Sequence, residues 1–504
     1  MINTDNGGQT TMSENVLLSV AEMYRADAAA EKAGVLSLEL MEVAGAGVVR
    51  ELTHRWPLPC PLVVLCGPGN NGGDGFVIAR LLQEAGWPVR LALLGSCENL
   101  KGDAAINARR WSGDVVELDG PDVLDGCELV VDALFGAGLT RALDGAARAV
   151  IEAIGARNLF CVCVDTPSGV HGDTGKILGA APQADLTVTF FTPKPGHFLR
   201  PGRDLVGELA VVDIGIREAV LGEINAQTAL NGPPLWLDRF PWPNADSNKY
   251  TRGHAVIAGG TEMTGAARLA ARGARRIGAG LVTITCDPKA FVIYASDAPG
   301  NLVRPVTDNA EFANYISDAR RNAVLVGPGA GVFEASRKRA LSALNAQKAC
   351  VLDADALSVF ADDPDTLFKA IKSPCVLTPH EGEFARIFDC HGDKLTRARE
   401  AARISGAVVL LKGSDTVIAH PDGRAVIDNA APPELSAGGS GDVLAGFILG
   451  LLAQKMDAFD AACAGAWVHG AAASEFGPGL IAEDLPEMVP DILLKLREGF
   501  DHDR

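Results

Sequence analysis

Between Glu14 and Leu52 apolar positions recur at helical spacing, with Ala-rich turns and a break at Gly34, which predicts two packed helices. Short β-rich runs follow: PLVVLC, VRLALLG, ELVVDALFG, FCVCVDTPSG, LTVTFF and ELAVVDIG, separated mostly by Ala, Arg and Leu segments of helical character. That alternation predicts a parallel sheet wrapped by helices. From about Leu221 to Lys249 the pattern dissolves into NGPPLWLDRFPWPNADSNK, whose prolines feed neither a helix nor a central strand, so a linker is expected over residues 226–247. Beyond it a second series runs through HAVIAGG, GLVTITC, AVLVGPG, CVLDADAL, PCVLTPH and AVVLLKG to a long Ala- and Leu-rich helical end. The pattern reads as an α/β protein of two domains, residues 1–225 and 248–504, with no repeat relating them.

Length agrees, because 504 residues exceed the roughly 250–300 that one core organises. A composition of 48% hydrophobic and 21% charged residues excludes disorder and collagen and fits a soluble globular protein. The net charge of -18 repels phosphate backbones and acidic lipid, so no nucleic-acid or membrane partner is expected, and any phosphate must be held by local features. The 11 Cys form no CxxC pair, and Cys161 and Cys163 share one strand face, as buried thiols in a reducing compartment would. The opening MINTDNGGQTTMSENVLL lacks an export pattern, and the longest apolar stretch, Val443 to Ala453, is far short of the roughly 20 residues that span a bilayer. A cytoplasmic location is expected, and the many small packed residues suggest a homo-oligomer.

Candidate chemistry begins at VVLCGPGNNGGDGFVIAR, a strand, a glycine-rich loop and a helix start. Side chains absent at Gly67, Gly69, Gly72, Gly73 and Gly75 let backbone N–H groups face an anion. No acidic residue follows about 20 positions later and no GK[ST] follows the loop, which disfavours an ordinary NAD oxidoreductase and a P-loop ATPase. Two later strands end in VDALFGAGL and VDTPSGV, each placing an Asp at the carboxyl edge, where open α/β sheets bind ligands. Asn71, Asp132, Asp165 and Ser168 thus offer oxygen ligands and a carboxylate for proton transfer, although both Asp could instead cap helices.

These motifs, with MYRADAAAEKAGVLSLELMEVAG before them, resemble the NAD(P)H-hydrate epimerase domain over most of residues 14–217, a Rossmann-like α/β/α sandwich. The resemblance implies that Asn70, Asn71, Gly72, Gly73 and Asp74 hold the hydrate together with Gly136, Ala137, Gly138, Leu139, Thr140, Arg141 and Ala142. It implies a potassium ion surrounded by Asn71, Asp132 and Ser168, and contact between Asp165 and the ligand. Moving a hydroxyl between the faces of its carbon needs proton movement, and Asp165 is the expected acid or base. Ala137 stands where a Thr is common in the family, removing one hydroxyl from the ligand loop.

In the second half LSAGGSGDVLAGFIL sets a glycine-rich turn before an apolar helix, so free N–H groups and the helix dipole face one point suited to a phosphate. Asp442 there either caps the helix or accepts a hydroxyl proton. GSGD resembles the anion-hole motif of the ribokinase-like superfamily. NKYTRGHAVIAGG, TGAARLAARGARRIGAGLVT, VGPGAG, VLDADAL, LTPHEGEF and LLKGSDTVIA narrow the resemblance to the ADP-dependent NAD(P)H-hydrate dehydratase, over about Asn248 to Glu475. It implies that Ala266, Gly329, His380 and Asp442 contact the hydrated nicotinamide, while Lys412, Gly413, Ser414, Asp415, Thr416 and Gly441 hold the AMP portion of ADP. His380 could equally be a satisfied histidine in a turn. Asp353 and Asp355 are candidates to help hold magnesium, or else to cap the core. Glu381 replaces a common Pro, and Ser440 replaces a usual Thr while keeping the hydroxyl.

The expected activity is repair of NADHX and NADPHX: epimerisation of R and S forms, then dehydration of S with ADP converted to AMP and phosphate. Two rivals stand beside it. One is a vitamin-precursor kinase carrying a sensor domain, which would use ATP; in the other, the first half is a non-catalytic binding module.

Overall fold

A computed structural model, which describes residues 15–502, forms two α/β units that divide between Thr228 and Ala229. In the first, helices Val20–Lys32 and Ser37–Arg55 precede seven strands: β1 (Leu62–Cys66), β2 (Val89–Leu93), β3 (Val115–Glu117), β4 (Leu129–Ala133), β5 (Phe160–Val164), β6 (Leu186–Phe190) and β7 (Glu208–Val212). They pair in parallel in the order β3-β2-β1-β4-β5-β6-β7. The chain order reverses between β1 and β4, and the carboxyl edge there is a natural ligand crevice. Both faces are covered: Val64, Cys66, Val131 and Val162 lie in one core, Val63, Leu65, Val130 and Cys161 in the other. That double burial is why these strands read as continuous apolar runs. The described cysteines are free thiols, and the buried Sγ atoms of Cys161 and Cys163 lie 3.7 Å apart on one face.

The second unit is built on a ten-stranded sheet. Its strands are β8 (Thr228–Leu230), β9 (His254–Ala258), β10 (Leu281–Cys286), β11 (Leu302–Pro305), β12 (Ala323–Val326), β13 (Ala349–Leu352), β14 (Cys375–Leu377), β15 (Val408–Leu411), β16 (Thr416–Ala419) and β17 (Ala425–Asp428). The order is β11-β10-β9-β12-β13-β14-β15-β16-β17-β8. Pairing is parallel from β11 through β15 and antiparallel from β15 to β17. Helices Thr264–Arg276 and Ser440–Ala453 meet at backbone distance, since a Cβ at Gly446 would lie 2.2 Å from the Ala270 carbonyl oxygen.

The stretch 226–247 is not a free linker. Leu230 lies on β8, and the Asn231 N–H donates to the Ile427 carbonyl at 2.8 Å. Trp236 is fully buried, with ring centroids 6.1 Å from Phe240 and 5.8 Å from Trp467. The prolines do break regular structure, but the aromatic side chains between them bury apolar area that a solvated linker would expose. Among the described residues no helix is long and apolar enough to cross a membrane.

Candidate active sites

In the first unit, the loops after β1 and β4 touch backbone to backbone: a Cβ at Gly67 would sit 1.8 Å from the Leu134 carbonyl oxygen, so only glycine fits. Helix Asn70–Glu84 then begins without a side-chain cap, leaving first-turn N–H groups open. Helix Val20–Lys32 forms another wall. Ser19 and Glu22 close its capping box, and Asp173 accepts the Val20 N–H at 2.7 Å.

Together these elements enclose a cavity of about 550 Å³. Of the residues the sequence singled out, Asn70, Asn71, Asp74, Gly136, Ala137, Gly138, Leu139, Thr140, Arg141 and Asp165 line it. Three expected residues do not. Gly72 and Gly73 face inward, under Gly67 and Met41, where their missing side chains permit close packing, and Ala142 is exposed outside the cavity wall.

Asp165 sits at the tip of β5 in the left-handed region (φ 65°), a strain of about 1–3 kcal/mol that its surroundings must hold. Its Oδ2 accepts the Ala137 N–H at 2.8 Å, and its Oδ1 accepts the Thr189 hydroxyl at 3.0 Å and lies 2.9 Å from Lys194 Nζ. Burial alone would raise this carboxyl, but Lys194 and the Ala137 N–H bring it down to about 2. The Lys194 pairing therefore favours Asp165 as an anion. His197 braces the pair: Nδ1 accepts the Lys194 N–H at 3.2 Å, leaving Nε2–H to donate to the Asp165 carbonyl at 3.0 Å. Burial and Lys194 push its imidazole down to about 4, so it stays neutral.

Asp132 is fully buried beside this site. It accepts the Ser168 N–H at 2.9 Å and the Ser168 hydroxyl at 2.7 Å, and that hydroxyl lies 3.1 Å from the Phe135 carbonyl oxygen. Burial raises the Asp132 carboxyl despite these donors. Asn71 places its Oδ1 near Gly136 and leaves its Nδ2 buried without a partner. A buried carboxylate with no Lys or Arg partner among the described residues, grouped with hydroxyl and carbonyl oxygens, fits a hard monovalent cation in kind.

In the second unit, Gly441 and Asp442 lie in the first turn of helix Ser440–Ala453, where the Ser440 and Asp442 N–H groups, expected to be free, donate to the Ala437 and Gly439 carbonyls at 3.3 and 3.1 Å in a tight turn. Ser440 Oγ donates to the Leu435 carbonyl at 2.9 Å, and His469 Nε2 lies 2.9 Å from the Ser440 carbonyl, so the turn is fixed from two sides. Asp442 is raised to about 6 by burial and by Asp353, against the pull of Lys412. Lys412 Nζ would lie 3.6 Å from a Cβ at Gly441.

The structure thus joins Lys412, Gly441 and Asp442, but Lys412 is already paired. Its Nζ lies 2.7 Å from Asp353 Oδ1 and 3.9 Å from Glu383 Oε2. Asp353 is correspondingly engaged through Oδ1. Asp355 Oδ2 accepts the Gly331 N–H at 2.8 Å. Among the described residues no group of three or more His, Cys, Asp or Glu forms a metal cage, so a divalent ion would need phosphate oxygens and water as well. Gly329 packs against Met263, just before the helix that carries Ala266. His380 caps helix Glu381–Ile387, its Nδ1 accepting the Gly382 N–H at 2.9 Å. Asp415 pairs with Lys394 Nζ at 2.7 Å, and Thr416 Oγ1 bonds to Gly413, so both shape the loop that contains Ser414.

Sequence reasoning missed Asp27, Lys194, Glu383 and His469. A signal for Lys194 was present in FTPKPGH, which follows β6 at the same sheet edge as the Asp-bearing loops. Glu383 lies three residues after His380, at capping-box spacing.

Family models match both units: NAD(P)H-hydrate dehydratase over residues 254–493 and YjeF-related protein N-terminus over 37–196. Proteins described as bifunctional NAD(P)H-hydrate repair enzyme Nnr are similar nearly end to end. The Thermofilum pendens protein is 36% identical, covering 94% of this chain and 95% of its own. The Escherichia coli protein is 35% identical, covering 91% and 90%. A solved ADP/ATP-dependent NAD(P)H-hydrate dehydratase from Bacillus subtilis aligns with 51% of this chain and 94% of its own, at 30% identity and a TM-score of 0.45.

Proposed function

The chain belongs to the bifunctional NAD(P)H-hydrate repair enzymes, and on that premise we propose that its first unit interconverts R and S NAD(P)HX while its second dehydrates the S form with ADP. The observation that carries the epimerase assignment is the cavity in which a lysine-held Asp165 faces the ligand loop. The anionic carboxylate can stabilise positive charge that develops on the nicotinamide ring when the hydroxyl departs. Asn71, Asp132 and Ser168 would hold potassium, whose charge would let Asp132 stay ionised below the ligand loop.

In the second unit Asp442 takes the proton of the C6 hydroxyl as that oxygen bonds to the terminal phosphorus of ADP and the bond to AMP breaks. Phosphate then leaves C6, and loss of a proton from the neighbouring ring carbon restores the double bond. The glycine-rich turn, with N–H groups of the Ser440–Ala453 helix, binds the transferring group. Lys412, steadied by Asp353 and Glu383, keeps positive charge beside it. Magnesium would arrive with the nucleotide and shield its phosphates, with Asp353 and Asp355 the carboxylates at hand to assist.

Incubating the protein with mixed R and S NADHX and following NADH absorbance with ADP, with ATP and without nucleotide tests the whole reading. Recovery of both epimers with ADP is expected. Recovery of S alone would remove the epimerase assignment, and formation of a phosphorylated alcohol with ATP would favour a kinase.

A further inference from the structure

The cavity of the first unit is lined by Asp27, Glu31, Asp74, Asp103 and Asp165, against Lys194 and Arg141. Glu31 and Arg141 are exposed, so the inner charge balance rests on Lys194. Its ammonium pairs with Asp165 and leaves that carboxyl an anion. No described residue gives Asp27 or Asp74 a side-chain hydrogen bond or an ion pair. One ammonium does not balance the carboxylates that share this space, and burial raises the carboxyls of both Asp27 and Asp74, so a proton is held more readily there than on Asp165.

The reaction requires such a proton. The hydroxyl sits on the ring carbon bonded to nitrogen, and it departs as water, not as hydroxide, if an acid supplies a proton. Asp165 has none to give.

Resting on the epimerase reading of this unit, we propose that Asp27 is its acid–base residue, protonating the hydroxyl as it departs and recovering a proton when water returns. The Asp27 proton passes to the hydroxyl oxygen, the C6–O bond breaks, and the nitrogen lone pair forms a C6=N⁺ bond opposite the Asp165 carboxylate. Water then bonds to the other face of C6, the electron pair returns to nitrogen, and the surplus proton passes to Asp27 through cavity water. Nothing is oxidised or reduced, and the enzyme ends in its starting state.

Position distinguishes Asp27 from Asp74. Asp27 projects from helix Val20–Lys32, whose Tyr24 hydroxyl would lie 2.5 Å from a Cβ at Gly138, so this helix closes directly over the ligand loop. Asp27 faces Lys194 and Asp165 across the cavity and Glu31 on its own helix. Burial raises its carboxyl, Lys194 lowers it, and Asp165 and Glu31 raise it, to about 6. It can therefore give and regain a proton near neutrality. Asp74, at the start of helix Asn70–Glu84, is raised well above the usual carboxylate range by burial first and then by Asp165 and Asp27, as suits a donor that keeps its proton.

The test uses the full chain carrying Asp442→Asn, so that S is not consumed, and follows R–S interconversion by chromatography across pH. The rate should be level on the acid side and fall as pH rises through about 6. Adding Asp27→Asn should lower kcat by about 100-fold or more, abolish that limb and leave NADPHX affinity within about threefold, while Asp27→Glu restores part of the rate. Retained kcat, an unchanged pH limb, or loss of affinity in proportion to rate would each overturn the assignment. If the Asp442→Asn parent itself fails to interconvert the epimers, the epimerase reading fails instead.

Discussion

Gly136 shows how little space separates the groups of the first site. A methyl group there would lie 2.8 Å from Asp165 Oδ2 and 3.1 Å from Asn71 Oδ1. Gly136→Ala is expected to abolish R–S interconversion while recovery of NADH from pure S remains, which stopped assays with separated epimers would show. Lys194→Met should be costlier, because removing one partner of a buried pair strands the other charge, at about 3–5 kcal/mol. The sign in pH follows from the depressed Asp165 carboxyl: its pairing stabilises the fold above the ordinary value of 3.8, and that contribution is lost as pH falls through about 2. Urea titrations of Lys194→Met and the parent should therefore differ most near neutral pH and converge in acid; equal midpoints at neutrality would contradict the pairing. Asp132, Asp165 and Asp442 were legible in the sequence because each stands at the carboxyl end of an apolar strand or opens a helix at a glycine-rich turn. Lys194 and Asp27 were not, since a lysine in a loop and an aspartate on an amphipathic helix have the same sequence signature whether they face solvent or a cavity.

At the scale of elements, the long apolar runs marked β1, β4, β5 and the central strands of the second sheet, where burial on both faces leaves no polar alternation. Strands outside that pattern escaped notice: β3 and β11 are short edge strands with exposed positions, and β16 and β17 are a short antiparallel continuation of the parallel series. The segment read as a linker hid an anchor. Trp236 is fully buried among Phe240, Trp467 and its neighbours, so Trp236→Ala is expected to destabilise the second unit by about 3–5 kcal/mol. Thermal unfolding should show a lower transition for that unit; an unchanged melting profile would mean the segment is dispensable.

Across the whole molecule, the two activities should titrate in opposite directions. Asp442 must be ionised to accept a proton, so dehydration of pure S should rise with pH through about 6, whereas interconversion should fall over the same range if Asp27 supplies the proton. Division of labour predicts complementation: Asp165→Asn should repair only S, Asp442→Asn neither epimer, and a mixture of the two both. Failure of the mixture would show that one chain must perform both steps. The strand at the far end of the second sheet has a practical corollary. Because β8 covers the side of β17, a dehydratase cut at Asn248 would bare a row of backbone N–H and C=O groups, an adhesive border prone to join another molecule. Anyone separating the halves should begin the second before Thr228 and expect the shorter version to clump.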